Sequence, residues 1–540
     1  MSKIAEYLNE HILGEITSSK AIRERFSRDG SVLSIQPELV MFPRVTNDIR
    51  KAARFSWQLA EKGHVMPLTA RGSGTDATGG AIGKGLIIDT VSHLNNIIFI
   101  ALKGRDHFVH VQPGVTFKSL NDALNWQGMQ VTSYPESGNV TVGGAVAGNL
   151  GGQLSGKYGL TGDLVTRLEV VLANGDLIET SRLSKHDFNK KKGLQTLEGE
   201  IYRKIDGLIE DNQEAIDRIT SGGRTDNTGY SGIAKVKNRD GSFDLTPLFV
   251  GSQGTLGIIS EIVLKTDFIS KDKTILVAVL PSVETGRDVA DILKALDPES
   301  LEIYDGKFFE SAKEKGKNYA LFSNKDENGD IGSVVYVQFG DFSDRSRAHK
   351  LKKAVKILAK YNASTITSND HSIEELSAIR DVSSSVYVSE SKGESWPPLF
   401  DGASVPSERI GEFTNAIFEL AARHHVELPM RIRVLDGTIF TRPALHLDKI
   451  TDRQKAFKLI SEYSQLIDRI GGKFISEGSE GRIKASAAYA LLDDDLTSLY
   501  EQIRTVFDPF GTLNPGVKQI SDIKSLAGQL RTSYDIADLV

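Results

Sequence analysis

The chain of 540 residues is 39% hydrophobic and 25% charged, which is typical of a folded protein of two or three domains and excludes a disordered one. Its net charge of −6, with scattered Lys and Arg, gives no basic patch for nucleic acid, and no run of about 18 apolar residues predicts a membrane span. The absence of cysteine excludes disulfides, thiolate-bound zinc, iron–sulfur clusters held by this chain and a cysteine nucleophile, and it favours a cytoplasmic location.

The N-terminal part of the chain predicts alternating helices and strands. Residues 1–16 predict a short amphipathic helix and lack the apolar core of a secretory signal. Apolar periodicity then predicts, in chain order, a helix over 50–62, strands over 64–70, 86–89 and 108–111, and a helix with Phe117, Leu120 and Leu124 on one face.

A hairpin and a further strand follow. Asn174-Gly175 separates two β-rich runs, and this pair predicts a hairpin because both residues tolerate a positive φ. The polar, Lys-rich stretch 181–199 is predicted to be a loop, and residues 258–264 a strand.

The composition and the apolar pattern change near Phe268, where glycine becomes rarer and predicted strands alternate with predicted helices. This region predicts strands over 274–280 and 333–339 and helices ending at 296 and over 345–361, 412–423 and 452–470. We therefore predict an α+β protein with a domain boundary near Phe268, where a glycine-rich α+β domain is followed by an α+β cap of sheet and helices.

The first glycine-rich segment, residues 71–80, fits the spacing of a Rossmann fingerprint at Gly72, Gly74 and Ala77. Four more glycines follow within the next few residues, and each costs a helix about 1 kcal/mol. No helix is expected there, so the segment predicts a loop whose N–H groups form an anion nest for phosphates. A surface loop without a ligand is the alternative.

The second glycine-rich segment, residues 135–152, contains six glycines among small residues. It leads into Gly151–Lys157, which has the spacing of a phosphate loop, but Tyr158 stands where that loop needs Ser or Thr, so a nucleotide triphosphatase is excluded. Such a run allows a flat ligand to lie against backbone. Two glycine walls suit a long ligand with a pyrophosphate and a planar ring, such as flavin adenine dinucleotide (FAD).

Further motifs stand around these walls in a recognisable order: Phe42-Pro43 with Val45-Thr46, residues 71–80, Pro113-Gly114-Val115, residues 142–149 and 157–163, Gly229-Tyr230, residues 251–259 and residues 507–516. This set resembles the FAD-linked oxidases of the vanillyl-alcohol oxidase and p-cresol methylhydroxylase (PCMH) type. Within them it is most similar to the branch of D-lactate dehydrogenase, the glycolate oxidase D-subunit and D-2-hydroxyglutarate dehydrogenase.

The resemblance implies an N-terminal helical segment 1–35, a PCMH-type FAD-binding domain 36–268 of two α+β subdomains and an α+β substrate cap 269–500 with an antiparallel sheet. A C-terminal segment 501–540 would return to the flavin domain. Covalently linked members use a His or Cys at the glycine walls, and neither wall has one here, so a non-covalent flavin is expected. The residues that the resemblance implies for FAD binding are Arg71, Gly72, Ser73, Gly74, Thr75, Asp76, Pro135, Ser137, Gly138, Thr141, Gly143, Gly144, Ala147, Asn149, Tyr158, Gly254, Gly257, Ile259 and Asn514.

The cap departs from the family pattern at its metal and base motifs. Where the family has the histidines of a Gly-His-x-Gly-Asp-Gly-Asn-x-His motif, this chain has Arg433 and Phe440. In the later Gly-Glu-His-Gly motif Glu477 is kept, but Gly478 replaces the histidine that would serve as base. A cation needs converging acidic or imidazole ligands, and an arginine repels it, so no metal is expected.

Proton removal from an alcohol requires a base within hydrogen-bond reach. Glu477 and Glu480 are candidates, and His446, His424 and His425 are weaker ones. Glu477 fits a site residue and an ordinary surface charge equally well.

Arg380 matches the family's cap arginine, whose fork of donors suits a substrate carboxylate. An ordinary surface ion pair is the alternative role for this residue.

The resemblance therefore implies an FAD-dependent oxidoreductase acting on CH–OH donors, with a small anionic hydroxy acid such as D-lactate or glycolate as substrate. Oxygen, a quinone or an electron-transfer protein would reoxidise the flavin. The oligomeric state is left open, and a homodimer is one option. Two alternatives stand beside this function: a flavoprotein subunit that has lost its substrate chemistry, and a metal-free oxidase of a sugar or alcohol.

Overall fold

The computed structural model describes residues 3–101, 107–220, 225–268, 270, 272–323, 331–385, 388–389 and 393–534. Helices and sheets are mixed in both halves of the chain, which confirms the predicted α+β class. In the described part of the chain no helix is long and apolar enough to cross a membrane.

The first sheet carries the first glycine loop. Its four strands lie in the order Glu15–Thr17, Leu39–Phe42, Leu86–Asp89 and Leu68–Arg71. The last three pair in parallel, and the helix Thr46–Glu61 connects two of them, with Ile49, Ala52 and Ala53 buried in the same apolar core. The loop 72–80 therefore begins where a buried parallel strand ends.

The second sheet is antiparallel and supports the second glycine-rich segment. Its strands lie in the order Ile97–Ala101, Phe108–Val111, Ile258–Lys265, Val165–Val171 and Leu177–Thr180. The predicted hairpin is confirmed, with Gly175 at φ +82°. Helices that share the core of this sheet are Phe117–Asn125, Val142–Gly148, Leu197–Asp211, Gln213–Thr220 and Asp494–Phe507.

Two local predictions are wrong. The stretch 181–199 contains the helix Lys185–Lys192, because Ser184 caps its N-terminus and Phe188 is buried 4.1 Å from the ring of Phe243. The N-terminal helix ends at Asn9, and the apolar Ile16 belongs to a strand that pairs with the first sheet.

The cap is built on a seven-stranded antiparallel sheet in the order Ser364–Thr367, Thr274–Leu280, Ser333–Phe339, Ser300–Asp305, Met430–Arg433, Thr438–Thr441 and Ala403–Ser404. In Thr274–Leu280, alternate residues enter two different cores, which explains its unbroken apolar run. The helices Val283–Leu293, Asp344–Leu358, Ile410–His424 and Ile450–Arg469 cover one face, and Gly306–Glu314 and Ile373–Ala378 cover the other.

The shorter elements are Lys20–Arg25, Met129–Gln130, Ser155–Tyr158, Thr246–Phe249, Asp267–Phe268, Val382–Ser385, Val388–Ser389, Glu394–Ser395, Ala485–Tyr489 and Ile523–Ala527. Near the C-terminus, Leu513 forms a parallel bridge with Leu68, next to the first glycine loop. Further on, the backbone of Arg531 donates to Val32 O at 2.8 Å. The C-terminal segment thus contacts the N-terminal part of the chain at two places.

Candidate active site

A cleft lies between the two glycine-rich segments. Seven of its sixteen lining residues are glycine, so backbone forms much of the wall. Nine residues predicted to bind FAD line it: Arg71, Gly72, Asp76, Gly143, Gly144, Ala147, Gly254, Gly257 and Ile259.

A second cleft adjoins the first and is lined partly by the cap. The two clefts share Gly72, Asp76, Ala81, Gly144 and Gly148, so they form one continuous space. The predicted residues that line this part are Gly72, Ser73, Gly74, Thr75, Asp76, Thr141, Gly144 and Glu477. The cap contributes Asp401, Phe440 and Lys484 as well, which the sequence analysis did not select as site residues.

The second glycine-rich segment contains a short helix. The helix Val142–Gly148 is capped by Thr141, whose Oγ1 accepts from Gly144 N at 3.2 Å. Gly143 is needed for packing, because a Cβ atom there would lie 2.5 Å from Pro113 Cβ. Asn149 ends the helix in the left-handed conformation, with φ +49°.

Arg71 places a buried positive charge in the wall of the first cleft. Its guanidinium donates to Ala81 O at 3.3 Å and lies 5.2 Å from the Phe26 ring centroid. Burial lowers the pKa of Arg71, and the nearby Asp29 opposes that shift. Burial and then the charge of Asp76 raise the pKa of Asp29 to about 7.

These features fit FAD. A long, glycine-lined space admits a dinucleotide, and Arg71 is a cation suited to its pyrophosphate. The carboxylate of Asp76 lies in the same wall, but it accepts hydrogen bonds from Gly80 N at 2.6 Å and Thr78 N at 3.0 Å. Its charge is therefore stabilised by the loop itself.

Six other residues predicted to bind FAD do not line either cleft: Pro135, Ser137, Gly138, Asn149, Tyr158 and Asn514. Asn514 is fully buried, and its amide nitrogen donates to Gly80 O and Gln253 O, both at 2.8 Å. It holds two cleft-forming loops together. The Tyr158 hydroxyl lies 3.4 Å from Glu299 of the cap.

Arg380 belongs to a buried charge network that joins the cap to the first domain. Its NH2 nitrogen lies 2.9 Å from Glu136 and 3.0 Å from Glu302. Arg431 contacts both carboxylates and pairs bidentately with Glu136. Although burial alone would raise it, Arg431 and then Arg380 lower the pKa of Glu136 to about 2. Both arginines are thus neutralised by carboxylates of this chain.

A second charge cluster occupies the place of the family's metal motif. Arg433 lies 2.7 Å from Asp436 and 2.5 Å from Glu477, and its guanidinium also lies 5.4 Å from the Phe440 ring centroid. Burial raises the pKa of Glu477, and Arg433 opposes that shift. With a guanidinium between the two carboxylates, the residues do not fit a metal ion. Among the described residues, no group of three or more His, Asp or Glu side chains is arranged to hold one.

Lys484 lies at the cap end of the second cleft, close to Asp401. Its amine donates to the backbone oxygen of Asp401, while the Asp401 carboxylate binds Arg442 at 3.0 Å. Burial lowers the pKa of Lys484. Sequence alone gives no sign of this burial, since a lysine is ordinarily exposed.

The other candidate bases pair with residues away from the clefts. Glu480 forms a fully buried ion pair with Lys518 at 2.6 Å and accepts from Gly229 N. His424 lies 3.0 Å from Glu462 and His446 lies 3.5 Å from Glu394. His425 takes the left-handed conformation just after the helix Ile410–His424. None of the four lines either cleft in the described structure.

Comparison with known proteins identifies two domains. Residues 37–181 match the FAD binding domain, and residues 269–517 match the C-terminal domain of FAD linked oxidases. The chain is 27% identical to a D-2-hydroxyglutarate dehydrogenase of Haemophilus influenzae over 95% of this chain and 51% of that protein. It is 25% identical to glycolate oxidase subunit GlcD of Bacillus subtilis over 89% and 88%, and 24% identical to a D-lactate dehydrogenase of Archaeoglobus fulgidus over 84% and 85%.

The chain spans about half the length of the D-2-hydroxyglutarate dehydrogenases that it matches. Among solved structures, p-cresol methylhydroxylase superposes with a TM-score of 0.64 at 12% identity, covering 94% of each chain. The 4-ethylphenol oxidase of Gulosibacter chungangensis gives 0.63 at 14%, covering 97% of each. These likenesses confirm the predicted PCMH-type fold, and the domain matches confirm FAD as the cofactor. The chain therefore joins an FAD binding domain to a C-terminal domain of FAD linked oxidases, and its fold is of the PCMH type.

Proposed function

We propose that this chain oxidises the CH–OH group of a small 2-hydroxy acid, of the D-lactate or glycolate type, with FAD as the oxidant. The observation that carries the proposal is the second cleft, where the glycine walls of the FAD-binding domain meet Glu477, Asp401 and Lys484 of the cap. One side of this space is open backbone, and the other carries groups that exchange protons. The three curated relatives described above are named for D-2-hydroxyglutarate, glycolate and D-lactate.

Arg71 and the backbone of residues 72–76 would hold the FAD pyrophosphate, and the helix Val142–Gly148 would border the rest of the cofactor. When bound, FAD accepts a hydride from the carbon that carries the hydroxyl. We propose non-covalent binding, because neither His nor Tyr occurs among the described residues that line the clefts.

Arg380 is proposed to receive the substrate's anionic group. In the free protein Glu136 already occupies this arginine, so a substrate carboxylate would have to replace Glu136 there. Glu136 is suited to such an exchange, since its side chain is 30% exposed whereas that of Glu302 is fully buried. Glu477 is proposed to act at the substrate hydroxyl, as the carboxylate of the cap that lines the cleft.

We propose a cytoplasmic location, which the absence of cysteine supports, and turnover without a metal ion. Reoxidation would fall to oxygen, a quinone or an electron-transfer protein, because a chain without cysteine carries no Cys-ligated iron–sulfur cluster. A homodimer is one assembly that analytical ultracentrifugation would test.

The neutralised arginines favour a second candidate, a metal-free oxidase of an uncharged sugar or alcohol. Anaerobic addition of D-2-hydroxy acids and of polyols to the purified yellow protein separates the two functions. Bleaching of the flavin absorbance by a hydroxy acid supports the first, and bleaching by polyols alone supports the second. A protein whose flavin no compound reduces would instead fit a subunit without substrate chemistry.

A further inference from the structure

Lys484 carries the one cationic side chain among the described residues that line the second cleft. It is 3% exposed and directly precedes the short helix Ala485–Tyr489, with its backbone N–H bonded to Glu480 O at 3.0 Å. The backbone therefore fixes the position from which its amine faces the cleft.

The amine is held by a neutral group rather than by a carboxylate. Within the described structure its hydrogen bond is to the carbonyl oxygen of Asp401, and the ring centroid of Phe474 lies 5.9 Å away. An ammonium has three donors, so two positions on the nitrogen have no protein partner among these residues. A buried lysine without an ion pair is more stable as the neutral amine.

The acidic groups around Lys484 are Asp401, Asp76, Glu477 and Glu480. Each of them already has a partner: Asp401 binds Arg442, Glu477 binds Arg433, Glu480 binds Lys518, and Asp76 accepts from the backbone of its own loop. Burial outweighs all four charges, so the pKa of Lys484 falls below the usual lysine range.

We propose that Lys484, rather than Glu477, removes the hydroxyl proton of the substrate. This inference rests on the proposed oxidation. The neutral amine takes the hydroxyl proton, and the C=O bond forms as the C–H bond breaks. Bound FAD would accept that hydrogen with its bonding electron pair, so that the 2-hydroxy acid becomes a 2-oxo acid. Lys484 ends as an ammonium that still donates to Asp401 O, and it later returns the proton to solvent.

Glu477 has a different role in this scheme. It lies 2.5 Å from Arg433, whose guanidinium also binds Asp436, so its carboxylate is committed to a buried ion pair. A carboxylate held in this way keeps Arg433 in place beside the cleft, and the single hydroxyl proton of the substrate goes to the amine of Lys484.

The test compares the holoproteins of wild type, K484M, K484R and K484A. The control is K458M, which changes a lysine whose side chain is 68% exposed. We expect K484M and K484R to bind FAD and a 2-oxo acid within about threefold of wild type but to be reduced at least ~100-fold more slowly, the usual contribution of a general base. Small primary amines should restore reduction in K484A, and the wild-type rate should rise with pH until Lys484 is neutral.

Three results would overturn the inference: reduction of K484R at a rate within threefold of wild type, no rescue of K484A by amines, or loss of 2-oxo acid binding in K484M with unchanged reduction at saturating substrate. If no hydroxy acid reduces the wild type, the proposed function fails separately. In that case a pH titration of the visible flavin spectrum without substrate tests whether Lys484 is neutral. A transition below the usual lysine range that is present in wild type and absent in K484M supports a neutral amine at the flavin, and its absence refutes one.

Discussion

Glu136 links the FAD-binding domain to the cap, and replacing it with glutamine should weaken that link. Its pKa falls from a usual value of about 4.5 to about 2, because Arg431 and Arg380 outweigh the effect of burial. At about 1.4 kcal/mol for each pKa unit, this corresponds to about 3 kcal/mol, which partial solvent exposure reduces to about 2 kcal/mol. We therefore expect E136Q to lose about 2 kcal/mol of stability at pH 7.

The loss should depend on pH in a defined direction. Since the folded-state pKa is depressed, the stabilisation by Glu136 is complete above about pH 4.5 and disappears as the pH falls toward 2. Urea unfolding followed by tryptophan fluorescence should show a constant difference between E136Q and wild type from pH 6 to 8, and a smaller one below pH 4.5. The matched control is E179Q, whose side chain is 63% exposed and 3.6 Å from Arg167. Equal stability of E136Q and E179Q at pH 7 would refute the reasoning.

Three further predictions concern the two clefts. R433M should lose about 3–5 kcal/mol of unfolding free energy, because two partly buried carboxylates lose the buried cation that they share. The exposed R423M should stay within about 0.5 kcal/mol, and equal urea midpoints for the two variants would contradict this. G143A should lower the FAD-to-protein absorbance ratio, since its Cβ would clash with Pro113, whereas G207A, which has open space, should not. Full FAD occupancy in G143A would count against FAD binding beside the helix Val142–Gly148. R71M apoprotein should bind FAD at least ~10-fold more weakly in a fluorescence titration, and unchanged affinity would rule out a pyrophosphate role.

The sequence predicted the cofactor domain well because its constraints are local. Glycines at close backbone approaches and the Asn174-Gly175 turn restrict conformation directly, so the first glycine loop and the hairpin could be predicted without tertiary information. The helix Val142–Gly148 was not anticipated, because glycine disfavours helices; here Gly143 is needed for its close approach to Pro113.

The cap site depends on contacts between distant parts of the chain, which sequence patterns do not reveal. Arg380 meets Glu136 across 244 residues, so a predicted carboxylate-binding residue is already paired in the folded protein. Among the described residues the amine of Lys484 meets the Asp401 carbonyl oxygen and the Phe474 ring, and no local motif signals that burial. Asn514 holds two cleft-forming loops together from outside the cleft, which only the fold reveals.

We propose that this chain oxidises a 2-hydroxy acid with FAD, in a cap where Arg433 lies at the position of the family's metal motif. The most direct test is anaerobic stopped-flow reduction of the holoprotein by D-lactate, L-lactate and glycolate, before and after removal of divalent metals with a chelator. We predict that D-lactate or glycolate bleaches the flavin at the same rate in both preparations, while L-lactate does not. No reduction by any of these acids, or reduction that stops after chelation and returns with zinc, would contradict the account.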